Sequence, residues 1–167
     1  MRYAQLRSMD IVNGKGVGVA LFTSGCPIHC KNCFNAELWD MNGGKLWTDE
    51  EKAQLLEMAS PNYVERLSIL GGEPMIKQNE EALYDLVRNF KEKYPNKKIW
   101  LYSGYTWEYL INIAEKRKIL ESVDILVDGK FEDELKDFRL KFKGSSNQRV
   151  IDVQESIRKK GVVLANV

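Results

Sequence analysis

Four short apolar runs, each closing on a glycine- or cysteine-bearing motif, set the tightest limit on the fold. "VGVALFT" (17–23), "RLSIL" (66–70), "KKIWLYS" (97–103) and "VDILVD" (123–128) have the length and the β-branched, aromatic content of strands. Helical patterns fall between them. "TDEEKAQLLEMA" opens on Thr48 as a cap with acidic first-turn residues, then sets Ala53, Leu56 and Ala59 at helical spacing. Asn79 stands as a cap before "EEALYDLVRNFKEKY", whose Leu83, Leu86, Val87 and Phe90 form an apolar stripe, and Thr106 caps "WEYLINIAEK". Strand alternating with helix favours parallel strands joined by helical crossovers. With 167 residues the chain is well short of the roughly 250 of a complete eight-unit barrel. The expected architecture is therefore α/β, either an incomplete (β/α) barrel or an open sheet, with mostly parallel strands. No repeat, low-complexity tract or Gly/Ser-rich linker divides it, so residues 1–167 are expected to form a single domain. The tail 154–167 receives no assignment.

The motifs sit where such folds build sites. Cysteines follow the first strand, "GGEP" the second, "SGY" the third and "DGK" the fourth, which gathers four motifs on one rim at the C-terminal strand ends. Charge narrows the partners: 25 basic against 24 acidic residues leave +1, too little for an extended contact with nucleic acid or an anionic membrane. No apolar run approaches the roughly 18 residues of a membrane span, and "MRYAQLRSMDIVNG" lacks the apolar core of a signal peptide. A cytoplasmic protein is expected, and an odd number of clustered cysteines there indicates a metal or redox site in place of a disulfide framework.

"SGCPIHCKNCFN" (24–35) holds all three cysteines and the only histidine. One reading of Cys26, Cys30 and Cys33 is a zinc knuckle with His29 as fourth ligand, although adjacent residues such as His29 and Cys30 seldom both reach one tetrahedral ion. The other is a 4Fe–4S cluster held by three thiolates, one iron remaining open to an external ligand. Thiolate suits both metals.

Three further segments also read two ways. "LGGEP" (70–74) is a tight turn or a place where backbone carbonyls approach a cationic ligand unhindered by a Cβ, with Glu73 adding charge and Pro74 stiffening the exit. In "VDGK" (127–130), Asp128 and Lys130 lie two apart at a strand end, either as an exposed turn or as partners for hydroxyls and a carboxylate. "RLKFKGSSNQRVI" (139–151) is a solvated basic loop or a seat for an acidic partner segment. "VNGKGVG" (12–18) lacks the phosphate-loop pattern and precedes a strand, which excludes nucleoside-triphosphate binding there.

The C-x3-C-x2-C spacing after a first strand, with a GGEP turn some forty residues on, resembles the radical S-adenosylmethionine (SAM) superfamily. "MDIVNGKG", "SGC", "CFN", "GGEP", "SGY", "LVDGKF" and "GSSNQR", in that order from Asp10 to about Ile151, are together similar to the activating proteins of anaerobic (class III) ribonucleoside-triphosphate reductases. Two departures stand out: Lys15 where that family commonly has proline, and "FKGSSNQ" where it commonly has Trp-Arg before Gly-Ser.

The resemblance implies an incomplete barrel of the radical SAM type. Cys26, Cys30 and Cys33 would ligate one 4Fe–4S cluster whose open iron is chelated by SAM. Gly71, Gly72, Glu73 and Pro74 would hold SAM, with Asp128 and Lys130 in support, Asn32, Cys33 and Phe34 along its adenine, and Ser103 and Gly104 at the rim. The reduced cluster would cleave SAM to methionine and a deoxyadenosyl radical, which takes a hydrogen atom from a glycine of the large reductase subunit. No side chain need act as acid or base, and the electron would come from a donor such as flavodoxin. Rival readings are an activase of another glycyl-radical enzyme, a radical SAM enzyme of small molecules akin to deazaguanine synthases, and a non-catalytic zinc module.

Overall fold

The computed structural model describes residues 1–167. Seven strands form one sheet in the order β3-β1-β2-β4-β5-β6-β7, where β1 is Arg2–Asp10, β2 Gly18–Thr23, β3 Lys45–Leu46, β4 Arg66–Gly71, β5 Lys98–Tyr102, β6 Ile125–Asp128 and β7 Arg149–Asp152. The four strands read from the sequence, β2, β4, β5 and β6, are the parallel centre. Antiparallel strands flank them: β1 against β2, β3 against β1, and β7 against β6. The expected parallel sheet with helical crossovers thus holds for the centre and not for the flanks. β1 escaped notice because only Tyr3 and Asp10 of its nine residues are buried and its composition is polar, while β7 has only four residues.

Five helices connect and cover the strands: α1 Asp49–Met58, α2 Glu80–Lys93, α3 Trp107–Ile111, α4 Ala114–Leu120 and α5 Val153–Lys159. Alternation along the parallel strands sends Val19, Leu21, Leu67, Ile69, Ile99 and Leu101 to one face, where they join the main core with Leu55, Leu83, Leu86, Val87 and Phe90 from the helices. Each of those leucines and valines contributes roughly 1.5–3 kcal/mol by leaving water. The opposite face carries the smaller cluster of Ala20, Phe22 and Leu70, against which Tyr102 packs.

Local signals mostly act as read. Thr48 and Glu51 complete a reciprocal capping box on α1, and Thr106 accepts from the Tyr109 N–H on α3. Three readings are corrected. The buried stripe of α1 runs through Leu55 and Ala59 while Ala53 is exposed. Asn79 does not cap α2: its amide donates to the Glu73 and Pro74 carbonyls at 3.5 and 3.2 Å, fastening the GGEP turn instead. The run from Trp107 breaks in two, with Asn112 donating back to the Glu108 carbonyl at 2.6 Å and Ile113 extended before α4. That break lets the buried Lys116 reach the Met75 carbonyl at 2.5 Å and Glu80 at 2.7 Å. The unassigned tail also packs. Asp152 caps α5 through the Glu155 N–H, and Leu164 bridges back to Ile151. No helix is long and apolar enough to cross a membrane.

Candidate functional site

The C-terminal ends of the four parallel strands bring the four motifs together. Thr23 pairs with Gly71 at the last rung between β2 and β4, and past it the chains stay joined: Gly72 N donates to the Thr23 carbonyl and Glu73 N to the Gly25 carbonyl, each at 2.8 Å. The two glycines permit this approach. Gly71 has φ +108°, and a Cβ on Gly72 would lie 2.4 Å from the Gly25 carbonyl oxygen. In this structure the glycines therefore press the GGEP turn onto the backbone that leads into Cys26. Ser103 N reaches the Val127 carbonyl at 2.9 Å, and Gly129 N the Tyr105 carbonyl at 3.3 Å, extending the seam to the third and fourth motifs.

Glu73, expected to lend charge to a ligand, lies 1 % exposed inside this seam. Its carboxylate accepts from Met75 N at 2.9 Å, from the Ser103 hydroxyl at 2.8 Å and from Gly104 N at 2.7 Å, so it ties the turn after β4 to the turn after β5. Burial pushes its carboxyl pKa up, opposed by those three donors and by the Lys116 ammonium. The Ser103 hydroxyl is engaged with Glu73 and with Tyr105 N. Asp128 is likewise buried and internally paired. It accepts from Trp107 N at 2.7 Å and from the Arg149 guanidinium at 2.9 and 2.5 Å, and Arg149 also grips Glu108. Hydrogen bonds donated to those two acids hold the guanidinium pKa above its usual range. Lys130 differs: it is exposed, and its charge is felt at the Cys30 sulfur.

Cys26, Cys30 and Cys33 are free thiols, each half-buried. Asn35 N donates to the Cys33 sulfur at 3.4 Å, and backbone groups of Ile28 and His29 near Cys26, and of Phe131 near Cys30, oppose the effect of burial on those thiols. Burial holds the Cys26 and Cys30 thiols above the usual range. His29 lies flat on Trp39, ring centroids 4.4 Å apart at 14°. No three Cys, His, Asp or Glu side chains anywhere converge as ligands of a single ion do. Three soft sulfurs on one loop are the donor chemistry of an iron–sulfur cluster, which takes one thiolate per iron. Trp39 Nε1, a buried polar atom without a hydrogen bond, belongs to the ring stacked on His29 of this loop.

The segment after β6 clamps the cysteine loop, which the sequence alone did not indicate. Asn32, at φ +53°, donates to Asp133 at 2.7 Å, Lys31 pairs with Glu134 at 3.0 Å, and Phe34 packs on Phe131 with centroids 5.0 Å apart. Three residues of the 139–151 stretch hold the DGK turn. Asn147 donates to the Lys130 carbonyl, Gln148 to the Gly129 carbonyl, and Arg149 to Asp128, three consecutive residues meeting three in the antiparallel register of β6 and β7. Three donor side chains in a row, "NQR", were the available signal.

Residues 12–151 match the family model described as a 4Fe-4S single cluster domain. Among curated relatives, the anaerobic ribonucleoside-triphosphate reductase-activating protein of Vibrio cholerae is 38 % identical over 150 residues, covering 89 % of this chain and 96 % of that one. The protein of the same name from Enterobacteria phage T4 is 36 % identical over 150 residues, covering 90 % and 93 %. That of Escherichia coli K12 is 36 % identical over 152 residues, covering 90 % and 97 %.

Proposed function

The chain belongs to the family of anaerobic ribonucleoside-triphosphate reductase-activating proteins, and from that membership we propose that it is a radical SAM activase of such a reductase. When bound, a reduced 4Fe–4S cluster would give one electron to SAM, and the cleavage that follows would leave a glycyl radical on the large reductase subunit. Cys26, Cys30 and Cys33 would hold the cluster, leaving its fourth iron for SAM.

One observation carries the reading: the backbone seam that locks the GGEP turn onto the entry to Cys26, so that any ligand of the turn lies beside the cysteine loop. Within it the chain's own residues have distinct tasks. Gly71 and Gly72 set the distance between turn and loop. Glu73, with Ser103 and Pro74, fixes the turn from its buried position. Asp128, held by Arg149, orients the DGK turn so that Lys130 stands at the Cys30 side, placed to meet a carboxylate. Asn32 and Phe34, clamped by Asp133 and Phe131, would border the adenine. The antiparallel flanks and one-sided helix cover are compatible with an incomplete barrel of the radical SAM type formed by a single domain. We place the protein in the cytoplasm with a flavodoxin-like electron donor.

The test is anaerobic reconstitution with iron and sulfide, followed by SAM and a strong reductant. About four irons per chain and release of deoxyadenosine are expected, then a glycyl signal by electron paramagnetic resonance when the reductase subunit is added. A signal on another glycyl-radical enzyme and none on the reductase would reassign the partner. Zinc in a colourless protein would end the reading.

A further inference from the structure

Residues 136–145 form an arm joined to the rim at its base, where Gly144 N and Ser145 N donate to the Gln148 side chain. Lys136 bridges Ser145 antiparallel, Asp137 N donates to the Gly144 carbonyl at 3.3 Å, and Leu140 N returns to the Asp137 carbonyl at 3.2 Å. The arm is fastened along its length. Phe142 packs on Trp100 with centroids 5.0 Å apart, and Lys143 donates to the Gln148 carbonyl at 2.8 Å. At Gly144 a Cβ would lie 3.0 Å from the Phe34 ring and 3.1 Å from that of Phe131. Phe34 follows Cys33 directly, so the base of the arm abuts the cysteine loop.

Its tip is the contrary of its base. Phe138 is 83 % exposed, more than any other large hydrophobic residue of the chain, and Leu135 beside the base is also exposed. The Arg139 side chain is 91 % exposed and holds Asp137 through two hydrogen bonds, at 2.9 and 2.8 Å, while Lys141 makes no ion pair or hydrogen bond. Between 136 and 143 stand four cations and one acid in a chain whose net charge is only +1: Lys136 lies 3.5 Å from Asp133 and Arg139 holds Asp137, which leaves Lys141 and Lys143 without an acidic partner. An aromatic ring held out on a fastened loop among cations has the composition of an interface anchor, with little ordering left to do on binding.

We propose that this arm is the docking surface for the large reductase subunit, an apolar side chain of an acidic segment covering Phe138 while its carboxylates meet Arg139 and Lys141. The proposal rests on the function proposed above and names where that partner is gripped, beside the loop that holds the cluster. A charge-complementary, apolar-centred contact of this kind sets affinity through the ring and association rate through the cations.

The experiment uses the reconstituted full chain with Phe138→Ala and with the double charge reversal Arg139→Glu/Lys141→Glu. Deoxyadenosine release with a chemical reductant and no reductase should match wild type in both. In glycyl-radical formation the KM for the reductase subunit should rise about tenfold or more for Phe138→Ala with the rate at saturation little changed. The double reversal should slow association and invert the salt dependence. A wild-type chain that cleaves SAM but leaves no glycyl signal on the reductase would bring down the functional reading, and this surface with it. Wild-type activation with both variants unaltered overturns the docking surface alone. So does a variant that loses SAM cleavage by itself, which would make the arm part of the cofactor site. A change of oligomeric state on sedimentation with KM unmoved would assign Phe138 to a second copy of the chain and overturn it too.

Discussion

Two glycine-bearing loops close opposite ends of the same sheet and do opposite things. At the N-terminal end of β2 and β4, the 12–18 loop wraps the Arg66 side chain, which is fully buried. Arg66 donates to the Lys15 and Gly16 carbonyls, to the Ser68 hydroxyl, and to the carbonyl and carboxylate of Asp10, the last at 2.8 Å. Asn13 satisfies the rest of that carboxylate. A Cβ on Gly14 or Gly18 would strike the guanidinium side chain at 2.7 or 2.5 Å, so these glycines serve a cation of the chain itself. At the C-terminal end, Gly71 and Gly72 allow an equally close approach, yet the loop they press against presents three half-buried sulfurs, of which only Cys33 takes a hydrogen bond from the chain, from Asn35 N. Glycine content marks close packing at both ends. What distinguishes a site is whether the polar groups so enclosed find their partners within the chain.

Cys30→Ala puts the largest strain on that contrast. It should abolish reconstitution of a four-iron cluster and deoxyadenosine release, read by iron analysis and chromatography, while thermal unfolding of the metal-free chain stays close to wild type. Equal loss of stability would mean that the cysteine loop is part of the scaffold and that the two ends do not divide their tasks. Asp10→Ala tests the other end. Removing one partner of a buried ion pair leaves an uncompensated charge and should cost about 3–5 kcal/mol in chemical denaturation. Iron bound per folded chain should not change.

The sequence carried the central strands and the cluster loop because both signals are local: four short apolar runs, and three cysteines within eight residues. The antiparallel flanks were hidden, since β1 buries only Tyr3 and Asp10 of its nine residues and β7 depends on pairing with β6 for its existence. The rim was legible as a set of motifs and illegible as a set of bonds. Glu73 and Asp128 look like ligands in a row of letters because a carboxylate beside glycine has many uses. Only the fold reveals that those oxygens accept hydrogen bonds from Ser103, Gly104, Trp107 and Arg149, up to 31 positions away in sequence. Conversely, the clamp on Asn32 comes from Asp133, 101 residues on, and no periodicity announces it.

Gly72→Ala sharpens the comparison at the rim. A methyl 2.4 Å from the Gly25 carbonyl must part the turn from the cysteine loop. The expected stability cost is about 1–3 kcal/mol, as for other overpacked positions. The informative result is functional: iron content near wild type, but a raised KM for SAM in the cleavage assay. Weaker cluster retention with unchanged KM would show that the seam serves the metal and not the turn.

The smallest effect concerns the sign of one carboxyl. Arg66 has a full set of acceptors, whereas Glu73 keeps a pKa raised above 4.5 despite three donors, because burial outweighs them. The unfolded chain therefore releases this proton first as pH rises. Glu73 binds more proton in the folded state across the window from about 4.5 to its raised value, and by linkage its contribution to stability falls through that window and then levels. Glu73→Gln cannot titrate, so the stability of wild type minus that of the variant, measured by urea denaturation of the metal-free chain from pH 4 to 7, should decline with rising pH. A difference that grew instead would mean that Met75, Ser103 and Gly104 overcome burial and hold the carboxylate ionised. The rim would then be as self-sufficient electrostatically as the Arg66 knot, and the contrast between the two ends would rest on the sulfurs alone.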